Sequence, residues 1–171
     1  MKLKKAAFAF ASVVALAVAV PAFALEIKEP KARIVVDVPD GWETSINGAW
    51  ISSGPKDHTF HLWLRGVDHA AWKTEKHVEE GMVVYLAEHL KEHTIDTHAK
   101  RIEHWHGFEG YEVWGHGKRK SDGAEVKFFI LVLRDEKTPS KGVVGLAMGT
   151  PAGYEKHHKG IYEAFKTLRA Y

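Results

Sequence analysis

The 171-residue chain contains no cysteine. That excludes disulfides, thiolate metal sites and the lipid-modified cysteine of an exported lipoprotein. It also lacks a long basic run; Lys118-Arg119-Lys120 sits beside an expected turn, so nucleic-acid binding has little to rest on. No Gly-x-Ser-x-Gly elbow and no phosphate-cradling P-loop occur, and "GHGKRK" lacks the third glycine and the strand-to-helix setting of a dinucleotide fingerprint. Ser52 and Ser53 fall in an expected hairpin, where Asp57 and His58 make only a weak triad. Internal repeats, linkers and low-complexity segments are absent as well.

What is present begins with a leader. Lys2, Lys4 and Lys5 precede the apolar run "AAFAFASVVALAVAV", and Pro21-Ala22-Phe23-Ala24 ends in an Ala-x-Ala pattern. The run is short for a membrane span and polar sequence follows at once, which reads as a secretory signal peptide over residues 1–24. The expected mature chain is a single domain, 25–171, in the periplasm or secreted, with no integral membrane anchor. Of the 24 Lys and Arg, three leave with the leader, so the mature domain is nearly balanced against its 22 Asp and Glu. All 12 histidines lie beyond Ala24. Imidazoles charge below about pH 6, which keeps an acid-responsive protein among the readings.

Periodicity gives the elements. Residues 34–38 read as a strand stopped by Pro39-Asp40-Gly41. A hairpin is expected from 49–53 and 58–67, where Phe60, Leu62 and Leu64 alternate with His61, Trp63 and Arg65. Over 70–93 the period changes: Val78, Met82, Leu86 and Leu90 recur at four-residue steps, the stripe of a long helix. Strands follow at 98–106 and 111–119, joined through Gly107–Gly110 with Phe108-Glu109 at the tip. Residues 124–133 contain "VKFFILVL", apolar on both faces and therefore a central strand. A strand at 142–148 and a break over 149–153 precede a last helix striped by Ile161, Phe165 and Leu168. The fold class is α+β: an α/β/α sandwich with one mainly antiparallel sheet, covered by a long central helix and a C-terminal helix.

Two stretches carry a resemblance. "IVVDVPDGWE" resembles the opening strand and Pro-x-x-Trp turn of the PsbP-like families, and "GIYEAFKTLR" resembles their closing helix. The resemblance spans most of 34–169 and implies the α/β/α sandwich used by bacterial periplasmic proteins. Relatives include an extrinsic photosystem subunit and a nuclear-transport factor that binds a small GTPase. The resemblance therefore implies binding without catalysis, and it supplies no catalytic motif to match. The bacterial-type leader does not imply a photosynthetic role.

Histidine offers the candidate chemistry. His104 and His106 are two apart, so on a strand they share a face. They form a two-imidazole half-site for Zn²⁺, Cu²⁺ or Ni²⁺, or else line a sheet edge bonded to backbone or water. "HLKEH" places His89 and His93 one helical turn apart in an H-x-x-E-H pattern, a zinc-peptidase signature whose third, acidic ligand is missing downstream. His157 and His158 open the last helix. Six tryptophans are a large aromatic load. Core packing explains most of them, while Trp63, Trp105 and Trp114, with Arg65 and Arg101, would suit a protein, glycan or small-ligand surface.

The leading reading is an exported, non-catalytic binding or accessory protein of the cell envelope, with an unknown protein or small-ligand partner and no cofactor. The alternative is a periplasmic metal-binding protein using His89 and His93, or His104 and His106.

Overall fold

The structure, a computed structural model, describes residues 23–29, 34–47, 50–68 and 74–170. The expected leader, except Phe23 and Ala24, lies outside these. The described elements run β1 (Phe23–Glu29), β2 (Ile34–Pro39), β3 (Trp42–Asn47), β4 (Trp50–Pro55), β5 (Phe60–Asp68), α1 (Glu75–His89), β6 (Leu90–Trp105), β7 (Phe108–Arg119), β8 (Glu125–Asp135), β9 (Lys141–Gly149), α2 (Pro151–Lys166) and β10 (Arg169–Ala170). Seven strands form one antiparallel sheet in the order β3-β4-β5-β9-β8-β7-β6. A small second sheet has the order β1-β2-β10. The α+β class stands.

β8 is interior, between β7 and β9, and Phe128 to Leu133 are all buried. An unbroken apolar run can be shielded only with cover on both faces. Alternate residues join two separate cores. Phe129, Leu131 and Leu133 pack with Ile34, Val36 and Val38 of β2 and Ile161, Ala164 and Phe165 of α2. Phe128, Ile130 and Val132 pack with Val78, Met82 and Leu86 of α1.

The long central helix is corrected. α1 has 15 residues, Thr74 caps it by accepting from the His77 N–H, and it ends at His89. Leu90 is already extended, at φ −116° and ψ 142°, and begins β6 without a loop. The four-residue stripe concealed this switch because Leu90 is buried in the same core from a strand. Thr94, Ile95 and Thr97 favour extended chain, and β7 supplies the ladder that holds them. α1 lies to one side of the sheet, mainly on β6 and β7, whereas α2 packs on β2, β8, β9 and β5.

β6 is an edge strand, and its pairing with β7 slips at four places. Such bulges twist an exposed edge away from further pairing. α2 begins inside the stretch expected to be a break. Thr150 caps it by accepting from the Gly153 N–H, and Pro151 occupies the first turn, where its missing N–H costs nothing. Gly153 is needed there, since a Cβ would lie 2.2 Å from the Thr59 carbonyl oxygen.

Candidate binding groove

Because α1 sits over β6 and β7, the described helices leave the same face of β3, β4 and β5 open beside its last turn. Strand alternation decides what lines that face. Phe60, Leu62 and Leu64 point into the α2 core, so His61, Trp63 and Arg65 project to the α1 side. Trp63 stands opposite Ser52 and Leu146, and Arg65 opposite Trp50. Ser45 and Asn47 of β3 pair with Ser52 and Trp50. The last turn of α1 adds Tyr85, Glu88 and His89.

Trp63 is the centre of this surface. Its ring centroid is 4.2 Å from that of His61, tilted by 39°, and 5.1 Å from that of His89, nearly parallel at 26°. Trp50 meets Tyr85 edge to face at 6.1 Å, and the Arg65 guanidinium lies 5.4 Å from the Trp50 centroid. Arg65 Nε is buried and has no hydrogen-bond partner among the described residues, an unmet donor beside the groove. Two recesses meet at Trp63, Glu88 and His89: one of about 520 Å³ toward His58, His61 and Lys120, one of about 280 Å³ toward Ser45, Asn47 and Trp50.

Electrostatics keep the two imidazoles of the groove uncharged. Burial lowers the His61 pKa below 6.5, and the neighbouring imidazoles of His58 and His89 lower it further. Burial also lowers that of His89; Glu88 opposes the shift and Lys120 adds to it. Both rings are therefore neutral at pH 7. The β7–β8 turn anchors the helix end: the Lys120 ammonium donates to the Ala87 carbonyl, and the Lys120 N–H to that of His89. A cation at a helix C-terminus is favoured by the macrodipole. Arg119 clamps Asp122 through two hydrogen bonds, of 3.0 and 2.6 Å, and holds its carboxyl at about 2.

The Ser52 hydroxyl and His61 Nε2 are hydrogen-bonded. Nucleophilic chemistry would also need an orienting group on the second imidazole nitrogen and an oxyanion site. Among the described residues no carboxylate bonds to His61. The weak triad expected from Ser52, Asp57 and His58 does not assemble, because Asp57 instead accepts from Thr59 and from Lys156 at 2.8 Å.

The expected histidine pairs are also rearranged. His93 lies on β6 opposite Gly117, not one helical turn beyond His89. The Glu92 of the H-x-x-E-H pattern is ion-paired with Lys118 at 2.9 Å. The β6–β7 hairpin turns at His106-Gly107, with Trp105 opposite Phe108, and not at Phe108-Glu109. His106 and Gly107 have φ of 52° and 85°, the doubly positive pattern of a type I′ turn, whose twist matches the strands. His104, also at φ 52°, sits in a bulge where Glu103 and His104 oppose Glu109 alone, and its Nδ1 is 3.1 Å from Glu136. The two-apart rule for extended chain therefore does not apply to His104 and His106. Among the described residues no three His, Asp or Glu side chains converge in a metal-binding arrangement.

The four residues expected to share a surface divide between the faces. Trp63 and Arg65 belong to the α1 side. Trp105 and Trp114 pack on the α2 core, Trp114 at 4.4 Å from Phe129. Sequence reasoning missed Trp50, Ser52, His61 and Glu88 as neighbours of Trp63. The alternation along β5 signalled His61, but only the β3-β4-β5 order and the position of α1 bring the others there.

No family model matches the chain, and no curated protein matches it. Solved structures do. The Saccharomyces cerevisiae Ran-binding protein Mog1p superposes with a TM-score of 0.59 at 8% identity, covering 85% of this chain and 94% of Mog1p. Cyanobacterial PsbP from Synechocystis sp. PCC 6803 gives 0.57 at 10% identity, covering 86% and 92%. LpqN of Mycobacterium tuberculosis, described as involved in cell envelope biogenesis, gives 0.55 at 10% identity, covering 85% and 88%. At such identities the likeness speaks for architecture alone: the chain has the PsbP-like fold shared by these proteins.

Proposed function

We propose that the chain is an exported, non-catalytic binding or accessory protein of the cell envelope, and that it holds its partner against the groove around Trp63. The observation that carries this reading is the face of β3, β4 and β5 that the described helices leave open, where an indole and two neutral imidazoles line two recesses that share Trp63, Glu88 and His89, with the buried, unmet Arg65 Nε beside them. Aromatic side chains with a few placed polar groups are the usual composition of a binding site. The leader-like N-terminus supports export. No helix of the described residues is long and apolar enough to cross a membrane. Two solved proteins of this fold are described, respectively, as Ran-binding and as involved in cell envelope biogenesis, which supports a binding role.

The test is mild chemical crosslinking in the native envelope, comparing the wild-type chain with Trp63→Ala and Lys159→Ala. A partner seated on Trp63 loses about 2 kcal/mol or more on truncation, so its yield falls steeply for Trp63→Ala and is unchanged for the exposed α2 control. Equal yields from wild type and a folded Trp63→Ala chain would remove the groove from the function.

A further inference from the structure

The other face of the sheet holds a second recess, unrelated to Trp63. Glu112 of β7 is only 6% exposed, and its register partner on β8 is Leu131. It opens into a cleft of about 290 Å³ walled by Ile102, Trp105, Phe129, Leu131 and Phe165, with Tyr162 of α2 at the mouth. A carboxylate so far removed from water has to be compensated by a cation or by several donors. Among the described residues its one ion-pair partner is Lys100 at 3.4 Å, whose side chain is 76% exposed. The other basic side chains on or near the rim are engaged elsewhere. Arg101 pairs with Glu103 at 3.2 Å and Glu109 at 3.7 Å, Arg134 with Glu109 at 2.6 Å, and His104 with Glu136 at 3.1 Å.

We propose that this cleft is a site for small organic ammonium ions with an apolar body, which displace Lys100 from Glu112. Lys100 shows what the carboxylate accepts: a primary ammonium reaching in from solvent on an alkyl stem. A ligand amine makes the same ion pair and adds what Lys100 leaves unused, the apolar wall behind Glu112. Trp105 and Tyr162 line the same cleft; the Tyr162 ring already holds the Lys166 ammonium at 5.4 Å, so cation–π attraction to a bound amine falls to Trp105. The cleft holds a body the size of one substituted ring. Lys100 holds the pair at 3.4 Å from a side chain that is mostly in solvent, so its ammonium is rehydrated on leaving and its displacement by another ammonium costs little.

The probe is phenethylamine, titrated into the full folded chain and followed by tryptophan fluorescence and by the Trp105 indole signal in NMR. 2-Phenylethanol, of equal shape without charge, is the control. Saturable binding of the amine is expected, weakened on the order of 10- to 100-fold in Glu112→Gln, as for loss of a charged hydrogen-bonded partner. Lys100→Ala, which removes the competitor, tightens binding by about 1.5- to 5-fold. That gain cannot arise from a damaged fold, so it protects the test if Glu112→Gln proves unstable. No saturable binding to Lys100→Ala, equal binding of the alcohol, or undiminished binding to a folded Glu112→Gln would each overturn the proposal.

Discussion

Acidification should loosen the groove before it affects any carboxylate, and two imidazoles account for it. His61 and His89 have folded-state pKa values pushed below 6.5 by burial. Between the folded and unfolded values the unfolded chain binds more protons, so the stability these rings carry is full above pH 6.5 and is lost as pH falls toward their folded pKa values. Each ring adds a slope of at most about 1.4 kcal/mol per pH unit, and the pair at most about 2.7. Both are only half-buried, so solvent screening makes the realised slope smaller. Asp122, held at about 2 by Arg119, and Asp57, held well below the usual carboxylate range by Lys156 and Thr59, contribute with the same sign. Their window lies below about pH 4, separate from that of the imidazoles. The assay is urea unfolding of the wild type and of His61→Gln plus His89→Gln at half-unit steps from pH 7.5 to 4.5. The wild type is expected to lose more stability than the double variant as pH falls below 6.5, and the two curves run parallel above it. Parallel curves throughout would refute the burial of these rings against Trp63.

Leu86→Ala, at a fully buried position of α1, is expected to cost about 2–5 kcal/mol in urea unfolding. A loss under about 1 kcal/mol would mean that α1 does not pack as described. His106→Val forces a β-branched residue into positive φ and should cost about 1–2 kcal/mol, while His106→Asn is neutral or stabilising. The opposite order would restore the Phe108-Glu109 tip. Calorimetric titration with Zn²⁺ at pH 7.5 is expected to show only weak, multi-site heats, unchanged by His89→Ala plus His93→Ala. One tight stoichiometric site lost in that double variant would contradict the placement of His93 on β6.

The parts of the fold visible in the sequence were those set by burial over several turns or strand periods. The β5 alternation, the central β8 and the Ile161–Phe165–Leu168 stripe each followed from side chains needing one dry face. The misreadings occurred where two periodicities agree by chance. Leu90 continues the α1 stripe at the right spacing and yet starts β6, because burial in one core satisfies both geometries. The His106-Gly107 turn was hidden by a histidine at a position usually held by Asn or Gly. β3 carries mostly exposed residues, β10 is two residues long, and neither leaves a pattern to detect. The groove was legible only as Trp63 and Arg65. Its other members lie on different strands and a helix, and their convergence is a property of strand order, which local sequence does not encode.

Placing a photoreactive benzophenone side chain at position 88, where the exposed Glu88 lines both recesses and Trp63 is kept, and, in a second chain, at position 159 of α2, then irradiating cells that express each chain in its native envelope, locates the partner most directly. The expected result is one dominant adduct from position 88, suppressed by excess wild-type chain, and none from position 159. An adduct from position 159 with none from position 88 would place the binding surface on the other face and contradict the groove.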